Sequence, residues 1–189
     1  MQIKVGVMGS ASEHGRPEVA KTLTEKAESL ARAIARREEL ILFTGATTGV
    51  VYLVGKTAHD QGSYHLGVSP GANQHEHTEL FKLPIDACDT IIYTGFGLKG
   101  RNVVLVRTCD IVVFIAGAMG SLNEFTIAHD EGKIIGCLTG TGGVADEAEH
   151  LVQKFGKKTH ARVFHSDDPE RLLELCLEAL SQRDPGFGY

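Results

Sequence analysis

The side chains of this sequence best suited to do chemistry together are Arg101 and Glu124, because each stands beside a glycine-rich turn that follows an apolar run. Glu124 closes the segment Ala116 to Glu124 (AGAMGSLNE), and Arg101, followed by Asn102, closes the stretch Gly95 to Gly100 (GFGLKG). A carboxylate can stabilise a developing positive charge. A guanidinium is always charged, so it holds phosphate or carboxylate well and donates protons poorly. Small residues opening a helix let the backbone approach a ligand, and the free amides there attract anions. The amides of Gly117, Ala118, Met119, Gly120 and Ser121 are therefore expected to face an anion. Ser121 and Glu124 also fit a capping box, S-x-x-E, which would be a purely structural role.

Two phosphate motifs and one metal motif come close without matching. Gly95, Gly97 and Gly100 form a GxGxxG after a strand, yet a dinucleotide fingerprint normally follows the first strand with an acid about 20 residues on. That acid's place, the end of the next strand, holds Ala116 and Gly117. The stretch GFGLKGRN also approximates a P-loop, but Arg101 and Asn102 stand where Lys and Ser or Thr would hold phosphate and magnesium. His75, Glu76 and His77, with His59 and His65 nearby, raise metal chemistry. They lack HExxH spacing, and alternate residues of an extended loop point apart. We assign no metal ligands and expect a solvated loop over the cleft. His14, after the first strand, is within reach of a ligand or of solvent.

The elements that must position these residues alternate strand and helix. Strands are expected at Ile3 to Met8, Leu40 to Phe43, Tyr64 to Val68, Thr90 to Tyr93, Ile111 to Ile115, Ile134 to Leu138 and Arg162 to Phe164. Between them lie helical patterns at Pro17 to Arg37, Val50 to Asp60, Arg101 to Cys109, Leu122 to Asp130 and Asp146 to Phe155. A last helix is announced by Asp168 as N-cap and Pro169 at its first position. Continuous apolar strands separated by amphipathic helices predict an α/β, Rossmann-like, doubly wound and mostly parallel sheet. We expect one domain over residues 1–183 and a flexible tail over 184–189. In such a sheet the strand-to-helix turns share one edge, where ligands bind. Gly9 and Ser10, Thr44 and Gly45 to Gly49, Pro70 and Gly71, and Gly140 to Gly143 all fall there, whereas the opposite turns, such as Arg36 to Glu39, are charged.

Bulk properties narrow the class. The 189 residues, 42% hydrophobic and 23% charged, suit a soluble globular protein with a substantial core. The net charge of -5 argues against a broad nucleic-acid footprint. No stretch approaches the roughly 20 apolar residues of a membrane span, and the opening MQIKVGVMGS lacks a signal-peptide pattern. Cys88, Cys109, Cys137 and Cys176 show no CxxC spacing and fit a reducing compartment. We expect a cytoplasmic protein with no membrane or nucleic-acid partner.

At the segment ending in Glu124 the sequence resembles the LONELY GUY (LOG)-like, or lysine decarboxylase-like, superfamily, most closely the branch of the molybdenum cofactor carrier proteins. Members carry Gly-Gly-x-Gly-Thr-x-x-Glu after a buried strand. Here Ala118 stands for a Gly, Ser121 for the Thr, and Ala116 for a preceding Pro. Thr44 to Val50 matches an upstream turn, Arg101 matches the family's Arg, and Asn102 stands where LOG enzymes usually have Lys. The likeness runs from about Ile3 to Gly143. It implies a phosphoribohydrolase that cleaves the N-glycosidic bond of nucleoside 5′-monophosphates to free base and ribose 5-phosphate. In that reading Arg101 and Glu124 are catalytic, Gly117 to Ser121 cradle the 5′-phosphate, and Gly9, Ser10, Thr44, Gly45, Gly49 and Asn102 complete the site. No cofactor is required for such hydrolysis. The alternative is a non-catalytic carrier or sensor that binds molybdenum cofactor or an AMP-like nucleotide. Ala118 and Asn102 depart from the enzymes and leave room for it. A homodimer or larger homo-oligomer is also implied.

Overall fold

The apolar runs become the strands of one sheet. In the computed structural model, which describes residues 2–10 and 17–183, they are β1 (Ile3–Gly9), β2 (Leu40–Thr44), β3 (His65–Ser69), β4 (Thr90–Tyr93), β5 (Ile111–Ile115), β6 (Ile134–Leu138) and β7 (Arg162–Ser166). The helices are α1 (Pro17–Ala35), α2 (Val50–Asp60), α3 (Gly97–Thr108), α4 (Met119–Asp130), α5 (Gly143–Phe155) and α6 (Pro169–Ser181). His14, the Val19 side chain and the tail 184–189 lie outside the described residues. Every strand pairing is parallel, in the order β4-β3-β2-β1-β5-β6-β7. The expected Rossmann-like α/β domain is thus observed, with a wholly parallel sheet.

Alternation along the central strands sends side chains into two cores. Val5, Val7, Leu42, Val113 and Ile115 meet α1, α2 and α6 on one face. Met8, Phe43, Val112, Phe114 and Ile135 meet α3, α4 and α5 on the other. β5 and β6 are buried along their whole length, as continuous apolar runs require. Cys109, Cys137 and Cys176 are core residues, and burial pushes their thiols up, to about 12 for Cys109. Lys133 is also buried. Its ammonium donates to the carbonyls of Arg107 and Cys109 at 2.9 and 2.8 Å, where α3 ends.

From β1 the chain winds outward through β2 and β3 to β4, then α3 returns it to the other side of β1 as β5. The winding direction therefore reverses between β1 and β5, the place where such sheets bind ligands. Gly9 pairs with Ile115, so both strands release the chain at one level.

Three helices begin earlier than the sequence pattern suggests: α3 at Gly97 rather than Arg101, α4 at Met119 rather than Leu122, and α5 at Gly143 rather than Asp146. In each case a left-handed residue turns the chain straight from strand into helix: Gly95 and Gly97 (φ 68° and 66°), Gly117 (φ 108°), Gly142 and Gly143 (φ 83° and 58°). The capping box is consequently not formed. Ala118 is the N-cap of α4, which places Ser121 inside the first turn and Glu124 in the second. α6 does begin as written, with Asp168 accepting from the amides of Glu170 and Arg171 at 2.9 and 3.0 Å. Replacing Asp168 with Ala should cost about 1 kcal/mol, or about 2–4 °C in Tm, measured by thermal denaturation.

Candidate active site

A cleft of about 240 Å³ opens at the β1/β5 switch point. Its floor is an ion pair. Arg101, from the second turn of α3, donates through Nη1 to Glu124 Oε1 at 3.3 Å, and both side chains are less than a tenth exposed. The guanidinium lies flat on Gly45, where any Cβ would collide with it. With its amide nitrogen turned toward acceptors, Asn102 donates to the same Glu124 oxygen at 3.0 Å and to Leu98 O at 2.9 Å. Burial dominates the electrostatics: it raises the Glu124 carboxyl to about 7, against the opposing pull of Arg101 and then Lys99. Burial also lowers the Arg101 pKa, which Glu124 opposes. Two polar atoms bordering this cleft, Ser10 Oγ and Arg101 Nε, are buried without a hydrogen-bond partner among the described residues. Such atoms cost free energy unless a ligand or water completes them.

The turn above the floor is held open by its neighbour. Ala116, left-handed at φ 52°, donates through its amide to Thr141 Oγ1 at 2.8 Å, and its carbonyl accepts from Ala145 N at 3.0 Å. The Gly117 carbonyl accepts from Val144 N at 3.1 Å, and a Cβ at Gly143 would strike that carbonyl. The β6–α5 loop thus fixes the β5–α4 turn. No side chain among the described residues caps α4, which leaves its first amides without such a partner.

Two strand ends are braced in the same way. Thr44 Oγ1 accepts from Ala46 N at 3.2 Å and lies 2.8 Å from His65 Nε2. The His65 Nδ1 proton is donated to Ala87 O, so Nε2 accepts from the threonine hydroxyl. One strand further out, Ser69 Oγ accepts from Gly71 N at 3.0 Å and donates to His77 Nδ1 at 2.8 Å, while His77 Nε2 donates to Pro84 O at 3.0 Å. Both imidazoles are buried, and burial lowers His65 to about 4. His77 sits on a π-helical turn, Glu76–Leu80, instead of the expected solvated loop, because its ring is needed under β3. Among the described residues no three His, Cys, Asp or Glu side chains cluster as a metal would need.

The structure brings together Arg101, Glu124, Asn102, Gly9, Ser10, Gly45, Ala118, Gly120 and Ser121 on the cleft wall. Thr44 stands behind it, its hydroxyl committed to His65 and Ala46. Gly49 is the N-cap of α2, Gly117 shapes the turn from beneath, and Met119 points outward, 75% exposed. Thr47, from the expected Gly45 to Gly49 turn, also lines the cleft, as do Lys99, Val51, Leu98 and the β1 residues Val7 and Met8, which were not singled out. Lys99 was legible: it precedes Asn102 by three positions, which makes the two neighbours on a helix surface.

A parallel sheet with an amide-rimmed, charged cleft at its switch point defines a ligand-binding α/β domain. The sequence matches the model of the SLOG cluster4 family over residues 2–173, and the chain belongs to that family. An uncharacterized protein of Archaeoglobus fulgidus is 29% identical over 98 residues, covering 52% of this chain and 59% of that protein. This chain therefore matches less than two thirds of that relative's length. Among solved structures, the X-ray structure of TM1055 superposes with a TM-score of 0.79 at 24% identity, covering 94% of this chain and 99% of that one. The molybdenum cofactor binding protein of Rippkaea orientalis gives 0.71 at 24% identity over 95% and 98%. DNA processing protein A of Helicobacter pylori, which binds single-stranded DNA, gives 0.58 at 16% identity over 96% and 82%. At these identities the structural likeness shows the fold. No helix among the described residues is long and apolar enough to cross a membrane.

The uncapped α4 yields a test. Ala118 has the extended backbone of an N-cap (φ -119°, ψ -155°), so Ala118→Asp can cap the helix with its own carboxylate. We expect a gain of about 1 kcal/mol in stability, measured by urea denaturation.

Proposed function

We propose that the cleft binds a phosphorylated, nucleotide-like small molecule and that the protein cleaves its N-glycosidic bond. The observation that carries this is the buried Arg101–Glu124 pair under a rim of uncapped helix amides, with Ser10 Oγ and Arg101 Nε beside it lacking partners among the described residues. The amides of α4 suit the 5′-phosphate. Thr47, Val51 and the Gly45 turn offer a mixed polar and apolar wall to ribose and base. Breaking the C1′–N bond leaves the electron pair on the base and a cationic, oxocarbenium-like centre at C1′, which a carboxylate stabilises. Glu124 is the carboxylate available. Water then adds at C1′, its proton is released, and the departing base takes up a proton from solvent. Arg101 acts by holding Glu124 in place. No cofactor enters this reaction.

A second reading is a carrier or sensor for a pterin-type or nucleotide ligand. It is favoured by the Asn102 amide and the Arg101 guanidinium meeting on one Glu124 oxygen, which restrains the carboxylate, and by the likeness to a molybdenum cofactor binding protein. The net charge of -5 and the small cleft support a small molecule over a nucleic-acid strand. Assembly as a homodimer or larger homo-oligomer belongs to the same proposal and is read by light scattering.

The discriminating experiment incubates the protein with nucleoside 5′-monophosphates and follows free base by chromatography. Release by the native protein and at least a hundredfold loss in Glu124→Ala, with an unchanged circular dichroism spectrum, is the expected result on the order of known carboxylate contributions. No release from any substrate, with a pterin found by mass spectrometry in the purified protein, favours the carrier. Glu124 must be ionised to act, and its carboxyl is raised to about 7. The kcat/KM profile should therefore fall as pH drops through about 7, above the substrate phosphate's own ionisation near about 6. A limb near the ordinary glutamate range would remove Glu124 from the role.

A further inference from the structure

The floor and the mouth of the cleft carry different cations, and their freedom differs. Arg101 at the floor is 6% exposed, packs over Gly45 and bonds Glu124. Moving its guanidinium to an incoming anion would leave a buried carboxylate unpaired, a costly rearrangement. Lys99, two residues earlier in the first turn of α3, is exposed at the mouth and has no carboxylate in ion-pair contact among the described residues. Its Nζ lies 3.8 Å from the point a Cβ on Gly120 would occupy, over the uncapped first turn of α4. Ser10 Oγ, on a residue 3% exposed, and Arg101 Nε, both without a partner among the described residues, mark the same cleft as built for a ligand.

We infer that Lys99 is the residue that selects a phosphorylated ligand, its ammonium closing over the phosphate from α3 while the α4 amides hold it from below, and that Arg101 is reserved for Glu124. The inference rests on the proposed nucleotide reading of the cleft. A compact ammonium on a flexible four-carbon stem can follow a phosphate as it enters, whereas a planar guanidinium stacked on a glycine cannot. Glu124 is the acid that faces this ammonium across the cleft, so Lys99 also favours its ionised form.

The test measures Kd by calorimetry for AMP, adenosine and inorganic phosphate, with native protein, Lys99→Met and Lys99→Arg. We expect Lys99→Met to weaken AMP and phosphate about tenfold, to leave adenosine within about twofold, and to flatten the salt dependence of AMP binding. Lys99→Arg restores most of the loss. Equal AMP and phosphate affinity in Lys99→Met and native protein overturns the inference, as does an equal loss for adenosine, which would mark a structural role. If the native protein binds phosphate but neither AMP nor adenosine, and Lys99→Met loses phosphate, the nucleotide reading falls while the role of Lys99 stands. Failure of the native protein to bind any phosphate-bearing probe overturns both.

Discussion

The site depends on a guanidinium lying flat against a peptide backbone. Arg101 can reach Glu124 only because residue 45 has no side chain, and Glu124 can be buried only because Arg101 is there to oppose its charge. A buried carboxylate without a counter-charge would stay protonated. The pair does not cancel the cost of burial, however: Glu124 remains raised to about 7. The floor of the cleft is thus poised near neutrality between a carboxylate and a carboxylic acid. The Asn102 amide donates to the same oxygen, a second contact that favours the ionised form.

Around this pair the chain uses backbone strain where glycine is absent. Ala46 and Ala116 both adopt left-handed conformations, at φ 46° and 52°, one after β2 and the other after β5. Alanine rarely occupies this region, and it does so where surrounding bonds over-determine the geometry. At Ala116 those bonds come from Thr141 and Ala145; at Ala46 the amide is fixed by Thr44. Both residues are buried, each at a strand end from which the chain leads into the cleft wall, at Thr47 and Ala118.

The sheet was legible because its strands are continuous apolar runs. Ile111 to Ile115 and Ile134 to Leu138 read as buried parallel strands from their apolar runs alone, and capping chemistry spells out the Asp168-Pro169 start of α6. The starts of α3, α4 and α5 were not legible, because glycines that make tight left-handed turns look the same in sequence as glycines of a loop. That ambiguity also made Ser121 and Glu124 resemble a capping box when the second is in fact the partner of Arg101. Arg101 and Glu124 meet at the sheet edge to which the turn composition points. The commitment of Thr44 was hidden, since its partner His65 arrives from the next strand. Periodicity and composition describe a chain locally, and the bracing of one strand end by the next is a non-local fact.

That bracing also ties stability in acid to a side chain outside the Arg101–Glu124 pair. The His65 imidazole is held neutral, with its pKa brought down to about 4 from an ordinary 6.5, and in that form it accepts the Thr44 hydroxyl. The unfolded chain binds a proton at this position below about 6.5 that the folded chain refuses, so acid draws the equilibrium toward unfolding as pH descends from there toward about 4. Once charged, the ring has only protons to offer and can no longer accept from Thr44. The residue next in the chain is Gly45, the seat of Arg101. His65 therefore contributes a loss of stability in acid at the strand end that leads into the cleft.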